Sequence, residues 1–184
     1  MIDIPVHTTE RLVLRAFVDG DLAGIAEMYA DPCTARYIGG LKDAAESWRA
    51  MATMLGHWPL RGYGPYAIEH RTTGDFVGWV GPWFPHGKPA SDMCWAIRRD
   101  YRGRGFASEA ARCALTWVQR DLGWPTVQSL ILTGNLPSER VAQKLGAVVE
   151  QEIEFRGLPV RYWRHLGSQS NSSNIQRNGV SKWQ

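Results

Sequence analysis

Residues 98–109 read Arg-Arg-Asp-Tyr-Arg-Gly-Arg-Gly-Phe-Ala-Ser-Glu, a combination of groups suited to holding an anion. Gly103 and Gly105 let neighbouring backbone N–H groups turn to the same side. Arg102 and Arg104 add positive charge at the rim. A strand-like run at 93–97 precedes the segment, and a helix-like run from 106 to about 122 follows it. The start of such a helix carries unpaired N–H groups and a partial positive charge. A strand, a glycine-rich turn and a helix start together describe a nest for phosphate, and so a site for a phosphate-bearing cofactor.

Two familiar phosphate loops do not fit. The dinucleotide fingerprint G-x-G-x-x-G needs a third glycine where Ser108 stands, and no Gly-Lys-Ser/Thr of a P-loop occurs in the chain. The net charge of +3 is too small to argue for nucleic acid, although it suits an anionic cofactor. The three cysteines Cys33, Cys94 and Cys113 are scattered without metal-ligand spacing, so no metal is expected. They read as buried small side chains in a reducing compartment. No apolar run has the length of a membrane span, and a cytoplasmic location is expected.

The elements that must position the loop follow from periodicity. A strand at 12–15 leads to a helix carrying Leu22, Ile25, Ala26 and Tyr29, with Asp21 as its N-cap and Asp31-Pro32 as its stop. A second helix spans about 43–57. Strands at 65–69 and 76–80 join through a turn at 72–75, and the stretch 81–90, with its prolines, reads as a loop. On the helix after the glycines, Phe106, Ala110, Cys113, Ala114, Trp117 and Val118 form an apolar stripe. A strand at 127–133, a short helix at 137–145, and strands at 147–155 and 160–166 complete the domain, 1–166. The Ser/Asn/Gln-rich segment 167–184 is expected to be disordered. Three consecutive strands imply an antiparallel meander and the later βαβ passage a parallel neighbour. The fold class is therefore mixed α/β (α+β), a twisted, mostly antiparallel sheet with helices on both faces.

A second motif lies about thirty residues downstream, Asn135-Leu136-Pro137-Ser138 through Lys144-Leu145-Gly146-Ala147. Arg102-x-x-Gly105-x-Ala107 resembles the acetyl-CoA pyrophosphate loop of the GNAT N-acetyltransferase superfamily. The second motif resembles the Asn-x-x-Ser…Lys-x-Gly block of its RimJ/RimL-like subgroup. The entry Thr9-Glu10-Arg11-Leu12-Val13-Leu14-Arg15 and the Gly78-Trp79 strand end are similar as well, so the resemblance covers residues 8–166. It implies a central, parallel, splayed strand pair and acetyl-CoA as acyl donor. Arg102, Gly103, Arg104, Gly105, Phe106, Ala107 and Ser108 would hold the pyrophosphate, while Ala96, Ile97 and Asn135 would hydrogen-bond the pantetheine arm.

The implied reaction is direct attack of a primary amine on the thioester in a ternary complex. The acceptor is a protein N-terminus or a small-molecule amine, with no nucleic acid or membrane partner; a homodimer is left open. Asp92, at the head of the strand before the loop, is the candidate base, with Asp100 and Glu69 as other carboxylates. Backbone N–H groups near 93–95 could hold the developing oxyanion. Relatives place a tyrosine on the later helix as proton donor to the thiolate; this helix has none, and Ser138 stands in as a hydrogen-bond partner for sulfur. An acceptor region lined by Trp58, Tyr63 and Trp83 with acidic residues would suit a cationic or amphipathic amine. A non-catalytic acyl-CoA-binding regulator is the alternative.

Overall fold

The computed structural model describes residues 3–166; the disorder expected over 167–184 falls outside them. The strands are β1 (His7–Thr8), β2 (Leu12–Arg15), β3 (Tyr66–His70), β4 (Phe76–Trp83), β5 (Asp92–Ile97), β6 (Val127–Leu132), β7 (Val148–Phe155) and β8 (Leu158–His165). The helices are α1 (Leu22–Ala30), α2 (Pro32–Ile38), α3 (Ala44–Arg61), α4 (Phe106–Arg120) and α5 (Leu136–Lys144).

Strands β1 to β5 form one antiparallel sheet in sequence order, and β6, β8 and β7 form a second, with β8 central. Alternation along β3 builds two cores. Tyr66 and Ile68 face α4, in a cluster with Leu12, Val77, Phe106 and Trp117. Ala67 faces α1 and α3, among Ile25, Met28, Met54 and Trp79. In β4, Glu69 pairs with Phe76 and Ile68 with Gly78. The extra residue, Val77, is a bulge that lets Val77 and Trp79 face opposite cores. The α4 stripe is buried as its periodicity requires. Helices thus cover both faces of the larger sheet.

Several local expectations are corrected. Asp31-Pro32 does not simply end α1; Asp31 caps a new helix, its carboxylate accepting from Cys33 N–H at 3.2 Å, with Pro32 at the first position. A proline there loses no helical hydrogen bond, because the first N–H groups have no partner in any case. Asp21 gives α1 no side-chain cap. Both its oxygens pair instead with Arg15, at 2.8 and 2.9 Å, and Val18 N–H donates to it. Strand β4 runs on through Gly81-Pro82-Trp83 into the expected loop. Pro82 is tolerated because it lies beyond Val80, the last residue paired with β3. Cys33 is exposed rather than buried.

The splayed pair expected at the centre is β5 and β6. Among the described residues no backbone hydrogen bond joins them, which is why two sheets form instead of one. Side chains bridge them at one end. Asp92 Oδ1 accepts from Leu130 N–H at 2.9 Å, and Ser129 Oγ donates to the Met93 carbonyl at 2.6 Å. Because the serine proton is spent on Met93, Ser129 must accept from His165 Nε2, 2.8 Å away. That fixes the Nε2–H tautomer and leaves His165 Nδ1 buried without a partner.

Burial lowers the His165 pKa from 6.5 to about 4. The unfolded chain takes up this proton below about pH 6.5 while the folded chain resists it until about 4. The contribution is complete above that window and is lost as pH falls through it, for a total of order 3 kcal/mol. We expect the wild-type thermal midpoint to fall between pH 6.5 and 4.5 more steeply than that of His165→Gln; parallel curves would show that His165 is not the titrating group.

Candidate active site

The glycine-rich loop sits where sequence places it, at the end of β5. A short 3-10 turn, Arg99–Tyr101, leads into it, and Gly105 is the N-cap of α4. Gly103 and Gly105 have φ of 77° and 82°, a region that other residues enter at a cost of about 1–2 kcal/mol. No side chain caps α4. Its first N–H groups are therefore left for a ligand.

The loop is held from behind. Arg11, just before β2, donates from Nη1 to the Arg104 carbonyl at 3.0 Å and lies 4.6 Å from the Phe106 ring centre. Glu109 accepts from Thr9 Oγ1 at 2.6 Å and from Arg11 N–H and Nε at 3.0 and 2.7 Å. Burial pushes the Glu109 carboxyl up, but these donors outweigh it and hold it below the usual range. The carbonyl side of the loop is tied to β2, and the amide side is left for the cleft.

Arg102 crosses from the loop to α2, its Nε donating to the Ile97 carbonyl at 3.1 Å and its Nη2 to Thr34 Oγ1 at 2.5 Å. It fixes α2 over the gap between the sheets. Two cavities occupy that gap. The first, about 510 Å³, is lined by Ala96, Ile97, Arg102, Gly103, Gly105, Ala107 and Ser108, and by Asn135 and Ser138 across the cleft. Arg104 and Phe106 do not line it: Arg104 lies over the Tyr101 ring, and Phe106 is in the core. The second, about 530 Å³, holds Asp92, Lys88, Trp83, Cys94 and residues from α1 to α3 and β6 to β8. Tyr37, Ile38, Trp95, Asn135 and Ser138 line both, so the cavities meet there.

Asn135 caps α5, its Oδ1 accepting from Ser138 N–H at 3.4 Å, which leaves its NH₂ for a ligand. The buried Asp92 carboxylate is engaged at both oxygens, by Leu130 N–H and by the Lys88 ammonium. Burial pushes the neighbouring Cys94 thiol up to about 12, which keeps it inert as a nucleophile. Asp100 and Glu69 line neither cavity, and Glu69 is paired with Arg15 at 2.6 Å. Of the three aromatics expected at the acceptor, only Trp83 lines a cavity. Trp58 is in the core, its indole N–H donating to the Pro65 carbonyl at 3.0 Å, and Tyr63 packs edge-on against Trp124. Sequence reasoning missed Tyr37, Ile38 and Thr34 because α2 was absent from it. The signal was Asp31-Pro32, an N-cap followed by a first-position proline.

An α/β fold whose cleft opens between two unbonded neighbouring strands and ends at an amide nest is the frame of an enzyme that works on an extended, phosphate-bearing donor. The chain belongs to the GNAT acetyltransferases: residues 11–148 match the family described as "Acetyltransferase (GNAT) domain". It is an N-acetyltransferase. An acetyltransferase structure from Agrobacterium tumefaciens is similar at TM-score 0.82 and 26% identity, over 90% of this chain and 96% of that one. The uncharacterized protein YkkB of Bacillus subtilis is 29% identical over 83% of this chain and 90% of its own length. A structure of RimL, a ribosomal-protein acetyltransferase in complex with coenzyme A, has TM-score 0.71 at 15% identity, over 87% of this chain and 97% of that one; at that identity the likeness shows the fold.

We expect Gly105→Asp, which sets a carboxylate at the mouth of the nest, to weaken coenzyme A binding by about tenfold or more in calorimetry. The thermal midpoint should fall by a few degrees through the positive-φ cost, with no clash added, since a Cβ there meets nothing nearer than Arg11 Nη2 at 3.5 Å. Unchanged affinity would place the phosphates elsewhere.

Proposed function

We propose that this enzyme binds acetyl-CoA along the β5–β6 gap and passes the acetyl group directly to a primary amine in a ternary complex. The observation that carries the reading is the pair of cavities that meet at Tyr37, Ile38, Trp95, Asn135 and Ser138. The cavity ending at Gly103 and Gly105 suits a phosphate-bearing chain, and the other is left for the acceptor. The uncapped start of α4 supports the pyrophosphate end, with Arg102 beside it. Ala96 and Ile97 lie on the β5 edge that no strand occupies, so their peptide groups suit the amides of the pantetheine arm, with the Asn135 NH₂ opposite. Arg104 and Phe106 support the loop rather than touch the ligand. Bound acetyl-CoA supplies the thioester carbonyl.

The chain's own residues handle protons and orientation. An attacking amine must be neutral, and Asp92 is the only carboxylate among the described residues that lines the acceptor-side cavity. Both its oxygens are hydrogen-bonded, so the proton reaches it through water. Asp92 also ties β5 to β6, and its two roles are separable. Ser138, where the cavities meet, hydrogen-bonds the sulfur. Tyr37 lines both cavities too, and a phenol is a better acid than an alcohol, so Tyr37 is the proton donor to the departing thiolate. The motif around Asn135 and Ser138 supports a RimJ/RimL-like assignment.

Purified protein with acetyl-CoA and a panel of amines, followed by free thiol release, tests the activity; binding without turnover on any amine would select a regulatory role. With the best acceptor, Asp92→Asn should lower kcat by about 10²-fold or more while coenzyme A affinity and the thermal midpoint stay close to wild type. A rate loss matched by loss of coenzyme A affinity and thermal stability would assign Asp92 to strand positioning alone. Ser138→Ala should cost about five- to tenfold in kcat, the worth of one hydrogen bond, with coenzyme A affinity kept. A wild-type rate would remove Ser138 from the mechanism.

A further inference from the structure

The acceptor-side cavity is walled by four cationic side chains, Arg36, Lys42, Lys88 and Arg156, against one carboxylate, Asp92. Asp92 is neutralised by Lys88. Among the described residues no carboxylate pairs with the other three. They lie by aromatic rings: Arg36 4.6 Å from the Tyr37 ring centre, Lys42 5.0 Å from Tyr29, and Arg156 5.2 Å from Phe155; Lys42 Nζ also donates to the Gly39 carbonyl at 2.9 Å. They come from α2, the loop before α3 and the β7–β8 turn, segments far apart in sequence that the fold brings to one cavity. Arg36 and Arg156 are exposed and Lys42 is half-buried, so all three are open to a ligand that enters from solvent.

Arg156 carries a second, independent sign. The turn Arg156-Gly157 has φ of 54° and 75°, and Arg156 is the only non-glycine residue with positive φ among those described. A two-residue hairpin turn with both φ positive favours Asn-Gly, and arginine is a poor choice for its first position. Backbone strain kept at a residue that lines a cavity points to a role for its side chain.

We propose that the acceptor is a small primary amine carrying a compact anion, carboxylate or phosphate, and that Arg156, Arg36 and Lys42 receive that anion. The proposal rests on the transferase reading above and names its substrate class. It replaces the cationic acceptor that the sequence suggested. The cavity volume of about 530 Å³ lies in the range of small-molecule sites. A guanidinium offers paired N–H groups matched to either anion, and a second ammonium on the acceptor would be repelled. The same cations disfavour the protonated form of the acceptor nitrogen, which favours the neutral amine that attacks.

The test uses matched amines: amino acids beside their own carboxamides and decarboxylated amines, and phosphoethanolamine beside ethanolamine. For the best acceptors kcat/KM should be about tenfold or more higher for the anionic member. Arg156→Asn should hold or raise the thermal midpoint, because asparagine suits the turn, while the KM of the anionic acceptor rises and the preference shrinks to a few-fold. Equal or faster transfer to amides, diamines or a peptide N-terminus would overturn the proposal, as would an intact preference in Arg156→Asn. Tight coenzyme A binding with no transfer to any amine would overturn the transferase reading and this proposal with it, whereas transfer without anion preference would overturn this proposal alone.

Discussion

The structure depends on one missing ladder. Strands β5 and β6 are neighbours, yet the peptide groups on their facing edges do not bond each other. Buried peptide groups left unpaired are costly, so the gap must be held open and its groups turned to use. Side chains do the first part: Asp92 takes Leu130 N–H, and Ser129 bridges Met93 and His165. They close one end of the gap and leave the other, near Ala96 and Ile97, to a ligand. Short connections then place one side of the cleft: the glycine loop follows β5 directly, and Asn135 and Ser138 follow β6 by three and six residues.

The glycine-loop side of the cleft was legible in sequence, and the cavity beside it was not. Gly103, Gly105, Asn135 and Ser138 lie in contiguous motifs whose backbone demands are local: positive φ, a helix start, a cap. Local demands leave local marks. The α4 stripe and the hairpin turns were readable for the same reason. The second cavity is assembled from Arg36, Lys42, Trp83, Lys88 and Arg156, each unremarkable in its own stretch. Only tertiary packing makes them neighbours. Trp58 and Tyr63 show the converse, since a Pro/Gly-rich setting suggested a pocket wall and packing put both elsewhere.

The misreading of Asp31-Pro32 had the widest effect. As a stop it ended a helix and left 33–42 without structure; as a cap with a first-position proline it starts α2. That helix supplies Thr34 to Arg102 and sets Tyr37 and Ile38 where the two cavities meet. Asp21 misled in the opposite direction. It has the type and place of an N-cap, but bidentate pairing with Arg15 took its oxygens first. Asp21 itself lies in helical backbone, φ −78° and ψ −15°, and its carboxylate is turned to Arg15 and Val18 N–H and not to the first turn of α1.

The outer strands bear on how copies of the chain meet. At one margin β1 is only two residues long. At the other, β7 pairs Val149 and then Gln151 with consecutive residues of β8, so Glu150 is bulged out, and Glu152 and Glu154 follow along the strand. A short strand and a kinked acidic one are poor templates for a stranger's backbone. The unoccupied rails of main chain are turned toward each other inside the cleft, so the adhesive backbone edges of the sheet face the enzyme's own reactants and not a passing strand.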